Sequence, residues 1–372
     1  MAALRIEGLK TYMLMGRHWP GFPWVLVELE TDEGLSGLGE GLPYQSGSLL
    51  DGFEAAKKRL VGEDPFNVEA IWERLHRAGT PLPVISAVET ALWDLVGKAV
   101  RQPVYRLLGG RCHENIRVYA DGFFRGASYT EAEYVAKALS AVEQGFTALK
   151  MDVDEPIPST RLLSRGISSQ DLALTVSMVR AVREAVGEHV DLAIDCHGAF
   201  NVSAAIELGK RLESFRLMWI EDPLPAGNAK AMAKVSEALE TPVCTGELLN
   251  TRYGFRELLE EQAADIIMPD VARTGGILEM KKIAAAADTY YVPVAPHNMV
   301  SPIATMASVQ LCVCTPNFLI LEYQMGDVPW RDAIIDPPLP LERGYLRIPS
   351  EPGIGVALRK DELEKHLVSS VK

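Results

Sequence analysis

Hydrophobic and polar positions follow one repeating pattern in the larger part of the chain. From Ile116 onward, short apolar runs typical of buried strands are followed by amphipathic stretches with helical spacing. Strands are predicted at Ile116–Ala120, Ala148–Val153, Val190–Asp195, Arg216–Glu221, Pro242–Gly246, Asp265–Pro269, Val292–Ala295 and Asn317–Glu322. Helices are predicted at Glu131–Gln144, Asp171–Val186, Ser203–Ser214, Gly254–Gln262, Ile277–Thr289 and Pro302–Cys314. Eight strands with helices between them favour an α/β fold of the (β/α)-barrel type, a modified TIM barrel, over an open sheet.

The residues before this repeat have a different pattern. Three antiparallel strands are predicted at Leu4–Leu14, Trp24–Thr31 and Leu35–Glu40, and helices follow, the last of which has Ser86 as its predicted N-cap. We therefore expect an α+β capping domain over residues 1–115, the barrel over residues 116–336, and a C-terminal segment over residues 337–372 that returns to the capping domain.

Composition limits the classes of function. The chain has 372 residues, of which 48% are hydrophobic, and its formal net charge is −13. This charge argues against binding to nucleic acid or acidic membranes, and no apolar run reaches the length of a membrane span. The five cysteines are odd in number and scattered, which is typical of buried thiols in a reducing cytosol. We expect a cytoplasmic protein that forms a homo-oligomer.

Carboxylates end three consecutive predicted strands at equal intervals. Asp195, Glu221 and Glu247 are spaced 26 residues apart, about the length of one strand–helix unit with its loops. The same end of neighbouring parallel strands would bring the three side chains together, where they would repel each other without a cation. Hard oxygen ligands suit Mg²⁺, so the spacing predicts a magnesium site.

Polar residues continue this series on the following strands. Asp270, His297 and Glu322 follow or end the sixth, seventh and eighth predicted strands, and Lys150 and Asp152 end the second. A carboxylate after a strand is usually solvated or caps a helix, and a lone histidine is usually structural. Such residues at corresponding ends of consecutive units instead predict a catalytic site, because catalytic groups gather at the C-terminal strand ends of barrels.

These residues resemble those of the enolase superfamily, and within it the mandelate racemase-like subgroup, over essentially the full chain. The resemblance implies that Asp195, Glu221 and Glu247 bind Mg²⁺ and that Asp270 and His297 form a carboxylate–histidine dyad. It also implies that Glu322 lies beside the substrate carboxylate and that Lys150 is the first lysine of the subgroup's Lys-x-Lys motif. Enzymes of this superfamily use a Lys or His base with Mg²⁺ to form an enediolate next to a carboxylate.

One position departs from the subgroup. Asp152 stands where a racemase of this type has its second lysine, which serves as the second base. A carboxylate beside Lys150 is expected to pair with it and to be weakly basic, which disfavours racemisation.

His197 favours dehydration. It lies two residues after Asp195 in Asp195-Cys-His-Gly198, which resembles the Asp-x-His-Gly element of acid-sugar dehydratases such as galactonate dehydratases. If the strand continued that far, alternation would put both side chains on one side, and an imidazolium there would protonate a leaving hydroxyl. The alternative is a histidine that only holds a metal ligand in place.

The sequence thus predicts a Mg²⁺-dependent dehydratase of a sugar acid. An epimerase or racemase using Asp152, a cycloisomerase, and a non-catalytic metal-binding or assembly protein stay open as alternatives. Residues expected to choose the substrate, besides Asp152, come from the capping domain: Arg17, His18, Trp19 and Tyr44. An insertion over residues 154–169 is expected to shape the pocket or an oligomer contact.

Overall fold

The structure is a computed structural model, and it describes residues 4–15, 23–42, 49–126, 128–158 and 163–368. Its N-terminal part is an antiparallel sheet covered by helices. The strands β1 (Ile6–Met15), β2 (Pro23–Thr31) and β3 (Ser36–Gly41) pair in the order β1-β2-β3. The helices are α1 (Leu49–Leu60), α2 (Val68–Arg77), α3 (Leu82–Ala99) and α4 (Val104–Leu107). This agrees with the predicted α+β capping domain.

Ser86 does not cap α3, contrary to the prediction. The helix begins one turn earlier at Leu82, with Pro83 in its first turn. Ser86 is buried inside the helix, and its hydroxyl oxygen accepts a hydrogen bond from the N–H of Gly275 in the barrel. The polar residue is therefore explained by a contact between the two parts of the chain.

The second part is a closed parallel barrel. Its first six strands are β4 (Asn115–Asp121), β5 (Ala148–Asp152), β6 (Asp191–Asp195), β7 (Ile220–Glu221), β8 (Val243–Thr245) and β9 (Ile266–Ile267). Val294 continues the series through single bridges to Ile267 and Phe318. The last strand, β10 (Leu321–Gln324), pairs in parallel with β4 and closes the circle. The barrel prediction is confirmed.

Proline explains why the predicted seventh strand is so short. Pro293 and Pro296 flank Val294 and Ala295, and neither has an N–H group to donate to a ladder. The apolar run predicted the position of the strand but not its extent, and pairing is reduced to single bridges at Val294 and at His297, which pairs with Asp270.

Six of the seven barrel helices lie close to their predicted positions. The seven are α5 (Glu131–Glu143), α6 (Ser169–Val186), α7 (Val202–Leu212), α8 (Ala229–Ser236), α9 (Thr251–Glu260), α10 (Ile277–Asp288) and α11 (Pro302–Val313). The helix α8, between β7 and β8, is not among the predicted helices. In the described part of the chain, no helix combines the length and apolar character needed to cross a membrane.

The C-terminal segment contacts both parts of the chain. Its elements are β12 (Leu341–Glu342), β13 (Tyr345–Arg347), β14 (Ala357–Leu358) and α12 (Lys360–Leu363). The short strand β11 (Ile335–Asp336) comes directly before the segment and pairs antiparallel with β14. β13 pairs antiparallel with β4 of the barrel, and Leu367 bridges to Leu14 of β1.

An apolar layer fills the inside of the barrel. It contains Tyr119, Ala148, Ala193 and Trp219, and the rings of Tyr119 and Trp219 meet edge to face with centroids 5.3 Å apart. Strand alternation puts the residue two positions further on the same side, so Lys150, Asp195 and Glu221 lie directly above this layer. The layer closes the floor of a site at the C-terminal ends of the strands.

Candidate functional site

The three carboxylates of the predicted metal site meet at the C-terminal end of the barrel. Oxygen atoms of Asp195, Glu221 and Glu247 lie within 4.8 Å of one another. Asp195 and Glu221 end β6 and β7, and Glu247 follows β8 by two residues. These residues could hold a metal ion, because all three offer the hard oxygen ligands that a divalent cation takes in proteins.

Lys150 compensates part of this negative charge. Its Nζ lies 2.6 Å from Glu221 Oε1, 3.2 Å from Asp195 Oδ2 and 3.2 Å from Glu322 Oε1, and its side chain is buried. Burial acts to lower the pKa of Lys150, but the surrounding carboxylates, Glu221 first, raise it well above its usual range. Lys150 is therefore a fixed cation in the middle of the site.

Proton sharing is favoured between Asp195 and Glu221. Burial and the neighbouring Asp195 raise the pKa of Glu221 well above its usual range. Burial opposes the shift at Asp195, but His197 and Lys150 lower its pKa. Two buried carboxylates this close favour one proton between them unless a cation offsets both charges. Trp219 Nε1 donates a hydrogen bond to Glu221 Oε2 at 2.9 Å and fixes its orientation.

His297 and Asp270 form a close pair. His297 Nδ1 lies 2.6 Å from Asp270 Oδ2, and Nε2 lies 3.1 Å from Glu247 Oε2. Burial acts to lower the pKa of His297, but Glu247 and Glu322, together with the bond to Asp270, raise it to about 10. Asp270 therefore holds one ring nitrogen, and the other faces the carboxylate cluster.

His197 lies on the other side of the cluster and has a similar arrangement. Its Nδ1 lies 2.9 Å from Asp154 Oδ1, and its Nε2 lies 3.7 Å from Asp195 Oδ2. The two side chains face each other as expected, but the expected reason is wrong. β6 ends at Asp195, and His197 adopts a left-handed conformation with φ of +43° in a turn, where its own N–H donates to Asp195 Oδ1.

The environment of Asp152 differs from the expectation. Burial raises its pKa well above the usual range, which is the opposite of the low basicity expected from pairing with Lys150. Oxygen and nitrogen atoms of Asp152, Asp195 and His197 also lie within 4.8 Å of one another. Asp152 thus lies in the same cluster as predicted, but as a strongly desolvated acid.

The cleft above the carboxylates has an empty volume of about 500 Å³, which includes space open to solvent at its mouth. Predicted residues that line it are Lys150, Asp152, Asp195, His197, Glu247, His297 and Glu322. Asp270 and Glu221 lie behind this surface, each bound to a residue that lines it. Arg17, His18, Trp19, Tyr44 and residues 159–162 of the predicted insertion lie outside the described residues.

Sequence reasoning missed several residues of this cleft. Asp121, Arg125, Met299 and Gln324 also line it, and Asp154 orients His197. Asp121 ends β4, so the rule that found Asp195 and Glu221 also applied to it. Arg125 and Asp154 lie in loops, where no periodic pattern marks them.

Two family models together match most of the chain. Residues 21–109 match the family described as mandelate racemase / muconate lactonizing enzyme, N-terminal domain, and residues 133–362 match the family described as enolase C-terminal domain-like. The chain belongs to the enolase superfamily. Within it, the chain is of the mandelate racemase-like kind, which confirms the resemblance stated from the sequence.

Curated relatives in this superfamily cover nearly the whole chain. A D-xylonate dehydratase from Haloferax volcanii is 36% identical, over 98% of this chain and 89% of its own length. A D-galactonate dehydratase from Ralstonia pickettii is 32% identical, over 95% and 92%. A D-galactarolactone cycloisomerase from Agrobacterium fabrum is also 32% identical, over 91% and 90%.

A solved structure of the superfamily has the same fold. The mandelate racemase/muconate lactonizing enzyme-like protein from Rubrobacter xylanophilus superposes with a TM-score of 0.91 at 35% identity, covering 100% of this chain and 99% of that one.

Proposed function

We propose that this enolase superfamily protein is a Mg²⁺-dependent acid-sugar dehydratase, a carbon–oxygen lyase that converts a sugar acid to a 2-keto-3-deoxy acid. One observation carries the proposal: two histidines face a single carboxylate cluster, and each is held through Nδ1 by an aspartate. Dehydration next to a carboxylate needs one base and one acid in the same cleft, and the two Nε2 atoms supply them. The names of curated relatives, dehydratases of D-xylonate and D-galactonate, support the same reaction.

Asp195, Glu221 and Glu247 would hold the Mg²⁺. The bound ion would act as a Lewis acid on the substrate carboxylate and offset the negative charge that develops on its oxygens. The donor set suits this ion, because it consists of carboxylate oxygens and contains no sulfur or nitrogen ligand. Lys150 and Glu322, 3.2 Å apart, would donate hydrogen bonds to the other carboxylate oxygen, since burial raises the pKa of Glu322 and favours its protonated form.

His297 would take the proton from the carbon next to the carboxylate. Asp270 holds Nδ1, so Nε2 is the atom directed at the substrate. The electron pair of the broken C–H bond would move into the carboxylate and form an enediolate. His197 would then give a proton from Nε2 to the β-hydroxyl, and the C–O bond would break with release of water. The resulting enol takes a proton at C3, loses the proton of its C2 hydroxyl to solvent and becomes the 2-keto acid.

Product formation tests the proposal. The purified protein, incubated with Mg²⁺ and a panel of sugar acids, is expected to produce a 2-keto-3-deoxy acid from at least one of them, and none after chelation with EDTA. Recovery of every sugar acid unchanged in the presence of Mg²⁺ would contradict the proposal and favour a non-catalytic metal-binding role.

A cycloisomerase is the second candidate, because one relative at 32% identity is named a D-galactarolactone cycloisomerase. That reaction would require a lactone substrate, so the same panel includes the lactones of its acids. An epimerase is distinguished in deuterated water, where it would return deuterium-labelled substrate or epimer in place of the keto acid. Asp152 would have to act as its second base.

A further inference from the structure

One wall of the cleft is a linked group of three side chains that the proposed reaction does not use. Asp121 ends β4, Gln324 ends the neighbouring β10, and Arg125 lies in the loop after β4. Gln324 Nε2 donates a hydrogen bond to Asp121 Oδ2, and Arg125 Nη1 donates one to Gln324 Oε1. Arg125 Nη2 also lies 3.6 Å from Asp121 Oδ2. We call this group the distal triad.

The distal triad lies above the proposed catalytic groups, towards the mouth of the cleft. Gln324 follows Glu322 by two residues on β10, so its backbone lies about 6.6 Å further along the strand and its side chain is on the same face. Its Nε2 lies 3.3 Å from Glu322 Oε1, so the triad begins directly beside the carboxylate position. The apolar layer with Tyr119 and Trp219 closes the opposite end. A substrate whose carboxylate is at Glu322 and Lys150 therefore extends its remaining carbons towards the mouth of the cleft, where the triad forms one wall.

The loop that carries Arg125 is built to hold it in place. Phe123 and Phe124, which precede Arg125 in this loop, are buried in the core, and Lys137 Nζ donates to the carbonyl of Arg125 at 2.6 Å. Gly122 has φ of +69°, and a Cβ on it would lie 2.6 Å from Arg125 Nη1. Because Gly122 has no side chain, the guanidinium of Arg125 can lie against the backbone at this position.

Asp121 has an acceptor that nothing satisfies among the described residues. The residue is only 4% exposed, and its Oδ1 is buried without a hydrogen-bond partner there. A buried carboxylate oxygen in this state is costly, and native proteins seldom leave one. Because Asp121 also lines the cleft, a ligand with a hydrogen-bond donor would satisfy it.

The hydrogen-bonding groups and charges of the triad decide whether the far end of a ligand is accepted as a hydroxyl group or as a second carboxylate. A hydroxyl group can donate to Asp121 Oδ1, whereas a second carboxylate has only acceptors. A carboxylate would also lie beside the charge of Asp121, and the positive charge of Arg125 is already offset by that residue. The triad is therefore complementary to a neutral polyol end and not to an anionic one.

We propose that Asp121, Arg125 and Gln324 bind the hydroxyl groups beyond C3 of the substrate and exclude sugar diacids. This inference rests on the proposed function for the orientation of the substrate, with its carboxylate at Glu322. Residues on β4, on β10 and in the loop after β4 would therefore discriminate between an aldonate and an aldarate.

Binding measurements test the triad separately from catalysis. Xylonate, gluconate and galactonate are each compared with the aldarate of the same stereocentres, by calorimetry with Mg²⁺ on the His297→Asn variant, which does not deplete its ligand. At least one aldonate is expected to bind about tenfold or more tightly than its aldarate, since the loss of one hydrogen bond to a charged group is worth that much. Asp121→Asn in the same background should reduce this ratio by about tenfold, because it removes the negative charge beside Arg125.

Asp288→Asn is the matched control, since it removes an exposed carboxylate at the far end of α10. It should leave the ratio unchanged, and thermal unfolding should show all variants folded. Equal affinity within each pair, no binding of any member, or a ratio unaffected by Asp121→Asn would each overturn the inference. The parent protein run in parallel distinguishes the two failures: absence of keto product counts against the proposed reaction, while keto product without pairwise discrimination counts against the triad alone.

Discussion

Lys150 Nζ lies 2.6 Å from Glu221 Oε1, and both side chains are buried at the centre of the barrel mouth. The positive charge of this amine therefore offsets part of the negative charge of the three carboxylates. Any bound metal ion would share that compensation with Lys150, so the stability of the fold and the occupancy of the site are coupled.

Replacing Lys150 should show that the stability of the fold depends on whether the metal site is occupied. Lys150→Met keeps a long flexible side chain but leaves buried carboxylates without their cation, which is expected to lower the free energy of unfolding by about 3 kcal/mol in EDTA. Mg²⁺ should recover part of the loss, so the shift in Tm on adding Mg²⁺ is expected to be larger in the variant than in the parent. The measurement is thermal unfolding with EDTA and with Mg²⁺, and exposed Lys58→Met is the control. Equal Tm values for Lys150→Met and the parent in EDTA would contradict the compensation.

Asp270 should set the pH at which His297 becomes a base. The hydrogen bond and negative charge of Asp270 raise the pKa of His297, so Asp270→Asn is expected to lower it. The acidic limb of kcat/KM reports loss of that proton in the free enzyme, so it should move to lower pH by about one unit. The maximum rate should fall at the same time, because the ring is less basic and less well held. A pH profile at saturating Mg²⁺ provides the measurement, and an unmoved limb with a reduced rate would indicate a purely structural role for Asp270.

His197 should be needed for the second half of the reaction only. His197→Asn retains a residue that tolerates the left-handed conformation at this position. Formation of keto acid is expected to fall by about 10²–10⁴-fold, the usual contribution of a general acid. Exchange of the C2 hydrogen with deuterated water should continue, because His297 is intact. NMR of the recovered substrate measures this exchange, and His297→Asn, which should lose both activities, is the matched comparison. Loss of exchange together with product in His197→Asn would exclude the division of roles.

The positions of the site residues followed from the sequence because a closed parallel barrel brings all its strand ends together. Asp195, Glu221 and Glu247 needed only their equal spacing to be grouped, and the structure brings them within ligand distance of one another. Their roles and the domain limits at residues 115 and 336 stay predictions, as do the oligomeric state and the cytoplasmic location.

Contacts between distant segments could not be read from local patterns. Asp154 binds His197 from a loop 43 residues earlier, and Asp152 owes its raised pKa to burial, which spacing does not report. Ser86 resembled a helix cap because serine is favoured there, while its partner Gly275 lies 189 residues away. Tertiary packing decided each of these cases.

A buried glutamate of the capping domain holds one barrel helix by its first turn. Glu89 on α3 accepts hydrogen bonds from the N–H groups of Ile277 and Leu278 at 2.7 and 2.9 Å, and from Trp93 Nε1 at 2.8 Å. A Cβ on Gly276 would lie 2.0 Å from Glu89 Oε2, so the glycine leaves the room that this carboxylate occupies. Since α10 follows the loop of Asp270, the contact joins the capping domain to the βα unit that carries half of the dyad.

Glu89→Ala should therefore destabilise the protein strongly. The buried N–H of Ile277 and the partly buried N–H of Leu278 and Nε1–H of Trp93 lose their acceptor. A buried donor without a partner costs about 1–3 kcal/mol, so the free energy of unfolding is expected to fall by about 3 kcal/mol. Glu89→Gln keeps one side-chain oxygen and should lose less. Urea unfolding monitored by fluorescence measures both, with Glu54→Ala on the exposed face of α1 as the control, expected within about 0.5 kcal/mol of the parent. If Glu89→Ala has the same free energy of unfolding as Glu54→Ala, water replaces the carboxylate at no cost. The capping domain is then held to the barrel by its apolar contacts alone.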